Sequence, residues 1–216
     1  MSTAVPQLSP ETMTTYWQQL LGMGGYDLDT LMRELRENAQ SVMKGMTNET
    51  SILEATKGGD GPDNIFMQQA LREEAVVRLA SKEVEQSTEH ALLPYLPLLE
   101  SNPRAMKRMV NSYGVHRTID ILRGGLMELE NLALWTIVEM RWPLLADHLS
   151  RNPQDLNIIT SEKLPEDNDF SKELKSLMLS NEVQRVVLTQ APGIGKPLTI
   201  DGIKACVGSA NVKTDP

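Results

Sequence analysis

The sequence predicts an all-α protein, an irregular multi-helix bundle of about eight to ten helices with no substantial sheet. Three observations support this class. Aromatic residues make up only 4% of the 216 residues. The apolar positions are filled mainly by Leu, Val, Ile and Met, which suit helix packing better than a β-sandwich. Apolar residues recur three and four positions apart, and no alternating run is long enough for a sheet.

The first half of the chain alternates helical patterns with breaks. Ser9, Pro10 and Glu11 supply the cap, the proline and the early acid that mark a helix start. The elements predicted here are, in order, a helix over 10–21, a helix over 27–46, a flexible connection over 56–64, a helix from about residue 64, and a polar stretch over 81–90 that fits either a helix end or a loop.

The second half contains the most apolar segment. Residues 128–142 are apolar on most sides, which predicts a central, largely enclosed helix, and Pro143 kinks or restarts it. The other elements predicted here are a helix over 102–123, a polar linker over 160–169, short helices over 171–179 and 182–189, and a last helix over 199–207.

These breaks divide the chain into four predicted parts. They are an N-terminal helical pair over 1–55, a central helical bundle over 64–159, short C-terminal helices over 170–208, and a flexible tail over 209–216.

Charge and cysteine content limit the partners and the compartment. The net charge of −8 makes the chain a poor non-specific binder of nucleic acid or of an anionic membrane. No apolar run approaches the ~20 residues of a membrane span. Cys206 is the only cysteine, so no internal disulfide can form. We therefore expect a cytoplasmic protein without a nucleic-acid or membrane partner.

The most informative stretch runs from Asn102 to Asn111. Asn102 can cap a helix, and Pro103 suits the first helical position. Arg104, Lys107 and Arg108 follow at spacings of three and four, so these cations share one face. The opposite face is apolar at helical spacing, through Met106, Met109, Val110 and Tyr113. A helix start with free N–H groups and three cations can bind an anion such as a phosphate.

An ordinary solvated helix face accounts for the same three cations. In that interpretation they are exposed or paired with Glu100 or Asp120. Arg141 is the other notable cation, because it interrupts an apolar segment. A partner carboxylate or a helix terminus would explain its position.

Other candidate chemistry has weaker support. Residues 191–197 are similar to a Walker A loop, but Gln190 replaces the required Gly and Pro197 the required Ser or Thr. The histidines lack ligand spacing, and His116 is expected to pair with Asp120 at i+4. Cys206 has no histidine nearby in the sequence, so we expect a buried, inert thiol. No metal site and no independent enzyme activity are predicted.

The stretch from Asn102 to Asn111 resembles the Asn-Pro-Arg-x-x-Lys-Arg-x-x-Asn signature found late in KAP-type P-loop NTPases, bacterial relatives of the STAND and AAA+ classes. Weaker similarity to the same family extends over most of the chain in order, at 5–16, 132–143 and 198–208.

The resemblance implies a lid-like, regulatory helical region of such an NTPase. The Walker A and Walker B residues of that family lie in an upstream core, and this sequence contains neither. By analogy, Arg104 would be a sensor-like cation that reaches nucleotide phosphates, with Lys107 and Arg108 supporting it. ATP and Mg²⁺ are then expected only with the core. The expected partner is that core or another protein, with possible self-association. The alternative is a stand-alone helical protein-interaction module without a nucleotide role.

Overall fold

The computed structural model describes residues 28–57, 65–100, 102–125, 127–161, 163–164, 169–189 and 195–207. The α-helices in this part of the chain are α1 (Leu28–Met43), α2 (Glu49–Thr56), α3 (Ile65–Leu79), α4 (Lys82–Leu92), α5 (Pro103–Leu122), α6 (Leu129–Arg141), α7 (Pro143–Arg151), α8 (Leu156–Ser161), α9 (Lys172–Met178), α10 (Asn181–Val187) and α11 (Ile200–Val207). Two 3-10 helices, Leu93–Leu98 and Pro153–Asp155, connect α4 to α5 and α7 to α8.

The predicted all-α class is confirmed, and the described ranges contain no strand. Eleven α-helices are present in them, slightly more than expected. Helix α2 was not predicted, because it is short and follows directly on a turn. Its cap is Asn48, whose side chain accepts a hydrogen bond of 2.9 Å from the Ser51 N–H. The polar stretch over 81–90, left open between helix end and loop, forms most of α4.

Two clusters of buried side chains hold the helices together. The first lies among α1, α2 and α3, and it includes Val84 of α4 and Ile121 of α5. The second is larger and lies among the end of α4, the first half of α5 and the helices from α6 to α11. Since burial of apolar surface supplies most of the folding free energy, the larger cluster should dominate stability.

Helix α5 connects the two clusters, and α6 lies at the centre of the second. Helix α5 contributes Ile121 to the first cluster, and Met109 and Tyr113 to the second. In α6 all seven residues from 132 to 138 are buried, as expected for the enclosed central helix. Pro143 restarts the chain as α7, because proline suits the first turn of a new helix.

Some sequence predictions lie outside the described residues, including the helix over 10–21 and the tail over 209–216. The division of the chain into four parts stays a prediction. None of the helices in the described ranges combines the length and apolarity that a membrane crossing requires.

Candidate functional site

The three predicted site cations lie together at the start of α5. Arg104, Lys107 and Arg108 are all exposed. Their helix is anchored from the opposite face, where Met109 and Tyr113 are fully buried. Within the described part of the chain, no hydrogen bond or ion pair engages the three basic side chains. The cations therefore form a solvent-facing patch on a fixed helix, which we call the basic helix start.

The backbone at this helix start differs from the expectation of free N–H groups. Pro103 has no N–H. The Arg104 N–H donates to the Asn102 side-chain oxygen at 2.9 Å, and the Ala105 N–H donates to the Asn102 carbonyl at 2.8 Å. Because the cap uses these donors, an anion here would be held by the basic side chains, with little help from the first-turn amides.

The pairing of the basic helix start with Asp120 is wrong, whereas the exposure of the three cations agrees with the solvated-face interpretation as well as with an anion site. The Asp120 carboxylate instead binds Arg117, at 2.9 Å, and accepts a 3.0 Å hydrogen bond from the Met127 N–H. Glu100 forms no ion pair with Arg104 in the described structure.

A buried ionic network lies in the second half of α5. The Arg117 side chain is 1% exposed, and its Nε lies 2.8 Å from Glu49 Oε1. That contact is an ion pair without hydrogen-bond geometry. The terminal nitrogens donate to Asp120 at 2.9 Å, to the Tyr113 hydroxyl at 2.9 Å and to the Met127 carbonyl at 2.8 Å. The Tyr113 hydroxyl in turn donates to Glu49 Oε1 at 2.7 Å. The network joins α2 and α5 to the segment before α6.

The electrostatics of this network keep the arginine charged and the tyrosine neutral. Burial disfavours the charged form of Arg117, but Tyr113, Glu49 and Asp120 outweigh it, so the guanidinium pKa is raised. Burial also raises the pKa of Tyr113 well above its usual range, with Arg117 opposing and Glu49 adding to the shift. With two carboxylates and one guanidinium, the network has a formal charge of −1.

Sequence reasoning did not find this network, although one signal was present. Arg117 occupies the apolar stripe of α5, four residues after Tyr113 and four before Ile121. A cation in that register must find buried partners or leave the stripe. Glu49 could not be identified as the partner, because the contact spans 68 positions of sequence.

Arg141 has both of the partners that its position called for. One guanidinium nitrogen donates to Glu182 at 2.6 Å, and the other to the carbonyl of Leu98, the last residue of a 3-10 helix, at 2.8 Å. The guanidinium carbon also lies 4.3 Å from the centre of the Trp142 ring. These contacts give Arg141 a structural role in holding α6 to α10.

The predicted pairing of His116 with Asp120 is wrong. His116 Nε2 lies 3.0 Å from Glu139, and Nδ1 lies 3.0 Å from the Thr136 hydroxyl. The reason is that Arg117, one residue later on α5, already holds the Asp120 carboxylate.

Cys206 lies closer to a histidine than the sequence indicates. The thiol, His116 and Glu139 all line a small cavity of about 90 Å³. Both ring nitrogens of His116 are engaged elsewhere, so the ring is not free to act as a base. Burial, followed by Glu139 and Asp120, raises the pKa of Cys206 to about 12. This arrangement fits the expected inert thiol and not a nucleophile.

The segment similar to a Walker A loop is described only from Gly195 onward. Its lysine, Lys196, extends to Glu128, with 2.8 Å between Nζ and Oε1. Leu198 then donates to the Val187 carbonyl at 2.9 Å, which ties the segment to α10. Among the residues that the structure describes, no group of His, Cys, Asp and Glu has metal-site geometry.

Fold and geometry thus define an all-helical protein with an exposed basic helix start and a buried ionic network. A scan against protein-family models, a search of curated proteins and a search of solved structures each found no match.

Proposed function

We propose that this chain is a non-catalytic helical lid or regulatory region that works with a P-loop NTPase core of the KAP type. Arg104 contacts the phosphates of a nucleotide that the core holds, and Lys107 and Arg108 support it. The chain itself performs no hydrolysis, and ATP and Mg²⁺ enter only with the core. We place the complex in the cytoplasm.

One observation carries the proposal. The cations of the basic helix start are exposed and have no intramolecular partner in the described part, while their helix is held by a packed core. Three like charges within two turns repel one another, which is unfavourable for the chain alone. A triphosphate would offset that repulsion, since arginine and phosphate form strong charge-assisted hydrogen bonds.

The fold provides a way to transmit a nucleotide signal. Helix α5 has its cations at one end, and Arg117 near the other end joins it to α2 through Glu49. A displacement of Arg104 by phosphate binding would therefore move a helix that contributes side chains to both buried clusters. A nucleotide that binds one lid position more tightly would shift the population of lid positions.

The test measures ATP hydrolysis by the Walker-type core, encoded in frame or as a neighbouring gene, in the presence of this chain. Arg104→Ala should lower the rate of the complex by about tenfold or more, because a hydrogen bond to a charged group contributes about 1.5–3 kcal/mol. Because Arg104 is exposed, the thermal unfolding of the variant should stay close to that of the parent.

Arg123→Ala is the matched control. Arg123 is also an exposed arginine, and it lies at the other end of the same helix, about 30 Å away for a helix of this length. It should leave the hydrolysis rate unchanged. Equal rates for the parent and Arg104→Ala complexes, or equal losses in the two variants, would contradict the lid role.

A second candidate function is a stand-alone protein-interaction module. Val115, Ile119 and Leu122 are exposed by 59%, 39% and 43%, and their spacing places them on one face of α5. An apolar stripe of this kind is suited to a protein partner or to self-association. The two functions differ in one measurement, because a lid complex changes its affinity when ATP replaces ADP and an interaction module does not.

A further inference from the structure

The geometry points to a second site, a cavity that binds a small organic cation with an apolar body. The cavity has a volume of about 570 Å³ and lies between α2, α3, α4 and α5. We call it the Glu49 cavity, because the Glu49 carboxylate lies in its wall. This volume is within the ~300–1,000 Å³ usual for small-molecule sites. The inference is independent of the proposed lid function, since none of the three site cations lines this cavity.

Much of the cavity wall is apolar and open to a ligand. Val76 and Leu79 of α3 lie on one side, and Val115 and Ile119 of α5 lie on the other. Val115 and Ile119 are 59% and 39% exposed, although both are apolar. A ligand with an alkyl or aryl body would remove this surface from water, which is favourable.

The polar end of the cavity selects the charge of the ligand. The Glu49 side chain is only 9% exposed, and its Oε1 is already engaged by Tyr113 and Arg117. Its other oxygen, Oε2, is buried and has no hydrogen-bond donor in the described structure. A buried acceptor without a donor is costly. A rotation of the Glu49 side chain that turned Oε2 into the cavity would let an ammonium or guanidinium group donate a strong hydrogen bond to it.

The charges around the cavity favour a cation over an anion. The residues lining it include two carboxylates, Glu49 and Glu85, and one cation, Arg117. The terminal nitrogens of Arg117 already donate to Asp120, Tyr113 and the Met127 carbonyl. Within the described structure its Nε has no well-aligned hydrogen bond but lies 2.8 Å from Glu49 Oε1, so the guanidinium charge is directed at the network and not at a ligand. A cationic ligand therefore adds the charge that the site lacks, whereas an anion would face two carboxylates.

A glycine keeps one side of the cavity open. Gly114 lies in the interior of α5 and lines the cavity, and a Cβ built at this position meets nothing within 4 Å. Glycine weakens a helix interior relative to alanine, and packing in the described structure does not require it here. The missing side chain leaves room beside Val115 for a bound molecule.

The test uses three probes of the same shape and different charge, phenylbutylamine, phenylbutanol and phenylbutyrate. Each is titrated at neutral pH into the full chain, and the methyl NMR signals of Val115 and Ile119 report binding. The amine should shift these signals with a dissociation constant about tenfold lower than that of the alcohol, as a hydrogen bond to a buried charge implies. The carboxylate should bind more weakly than both.

Two kinds of variant localise the effect. Glu49→Gln should remove the preference for the amine over the alcohol. Gly114→Leu fills the cavity from a position with free space and should abolish binding of all three probes, while Gly114→Ala should retain it. Since Glu49 belongs to the buried network, Glu49→Gln is compared with the parent by circular dichroism, and the Gly114 pair tests the site without changing any charge.

Three results would overturn the inference. These are no methyl shift with the amine, equal affinity of the parent for the amine and the alcohol, or unchanged amine binding in Gly114→Leu. The last result would place the binding site elsewhere on the chain.

Discussion

Replacing Arg117 with methionine tests whether the buried network holds α2 to α5. The substitution keeps much of the apolar side-chain volume but removes the charge and every hydrogen bond of the guanidinium. It leaves Glu49 and Asp120, whose side chains are 9% and 8% exposed, without a nearby counter-charge. The Met127 carbonyl also loses its 2.8 Å hydrogen bond.

The expected loss follows from the cost of an uncompensated buried charge. Removing one partner of a buried ion pair costs about 3–5 kcal/mol. Domains typically unfold with about 5–15 kcal/mol, so the variant should lose a large share of its stability. At roughly 2–4 °C per kcal/mol for a chain of this size, the midpoint of thermal unfolding should fall by about 6–20 °C.

The assay monitors unfolding in urea and unfolding by heat through the far-UV circular dichroism signal, with Arg36→Met as the control. Arg36 is an exposed arginine of α1, and its replacement should change the free energy of unfolding by about 0.5 kcal/mol or less. A triple variant that adds Glu49→Gln and Asp120→Asn to Arg117→Met should recover most of the loss, because no unpaired charge then remains.

The reasoning is refuted if Arg117→Met costs less than about 1 kcal/mol, which would mean that the network contributes no more than a surface ion pair. A triple variant as unstable as Arg117→Met would show that the loss comes from packing and not from the stranded charges.

Two further predictions concern single positions. Gly114→Ala should raise the free energy of unfolding by about 0.5–1 kcal/mol, because the added Cβ meets no atom within 4 Å and glycine disfavours helix. A lower free energy of unfolding than that of the parent, measured by urea titration, would contradict this. Near neutral pH, iodoacetamide should alkylate Cys206 about fifty-fold more slowly in the native chain than in the unfolded chain. The native pKa of about 12 lowers the fraction of thiolate about a thousandfold. A thiolate of higher pKa is also a better nucleophile, which recovers about twentyfold of the rate. The unfolded thiol ionises from about pH 9 and the native thiol only near pH 12. The raised pKa therefore contributes stability to the native state below pH 9, and this contribution is lost as the pH rises from about 9 to about 12. Equal alkylation rates of native and unfolded chain, measured by mass spectrometry, would contradict the raised pKa.

Local patterns were sufficient to predict most of the helices and the position of the candidate site cations. Asn102 caps α5 as expected, and Arg104, Lys107 and Arg108 follow on an exposed face. The cap, the proline and the i, i+4 spacing act within a few residues, so they can be read without the fold. The short helices α2 and α8 were missed, because eight and six residues offer little periodicity.

Contacts between segments that are distant in sequence decided which charged side chains pair with one another. His116 pairs with Glu139 and not with Asp120, since Arg117 and the Met127 N–H compete for the Asp120 carboxylate. The spacing of charges on one helix cannot reveal a competitor that arrives from another segment.

The sequence by itself determined the helical class and the exposed cations at the start of α5, because helix periodicity and capping are local. The tertiary structure alone decided that Arg117 is buried against Glu49, and that a cavity opens between α2, α3, α4 and α5. The physical reason is that burial and the pairing of charges depend on which segments pack together, and two residues 68 positions apart in sequence meet only after the chain has folded.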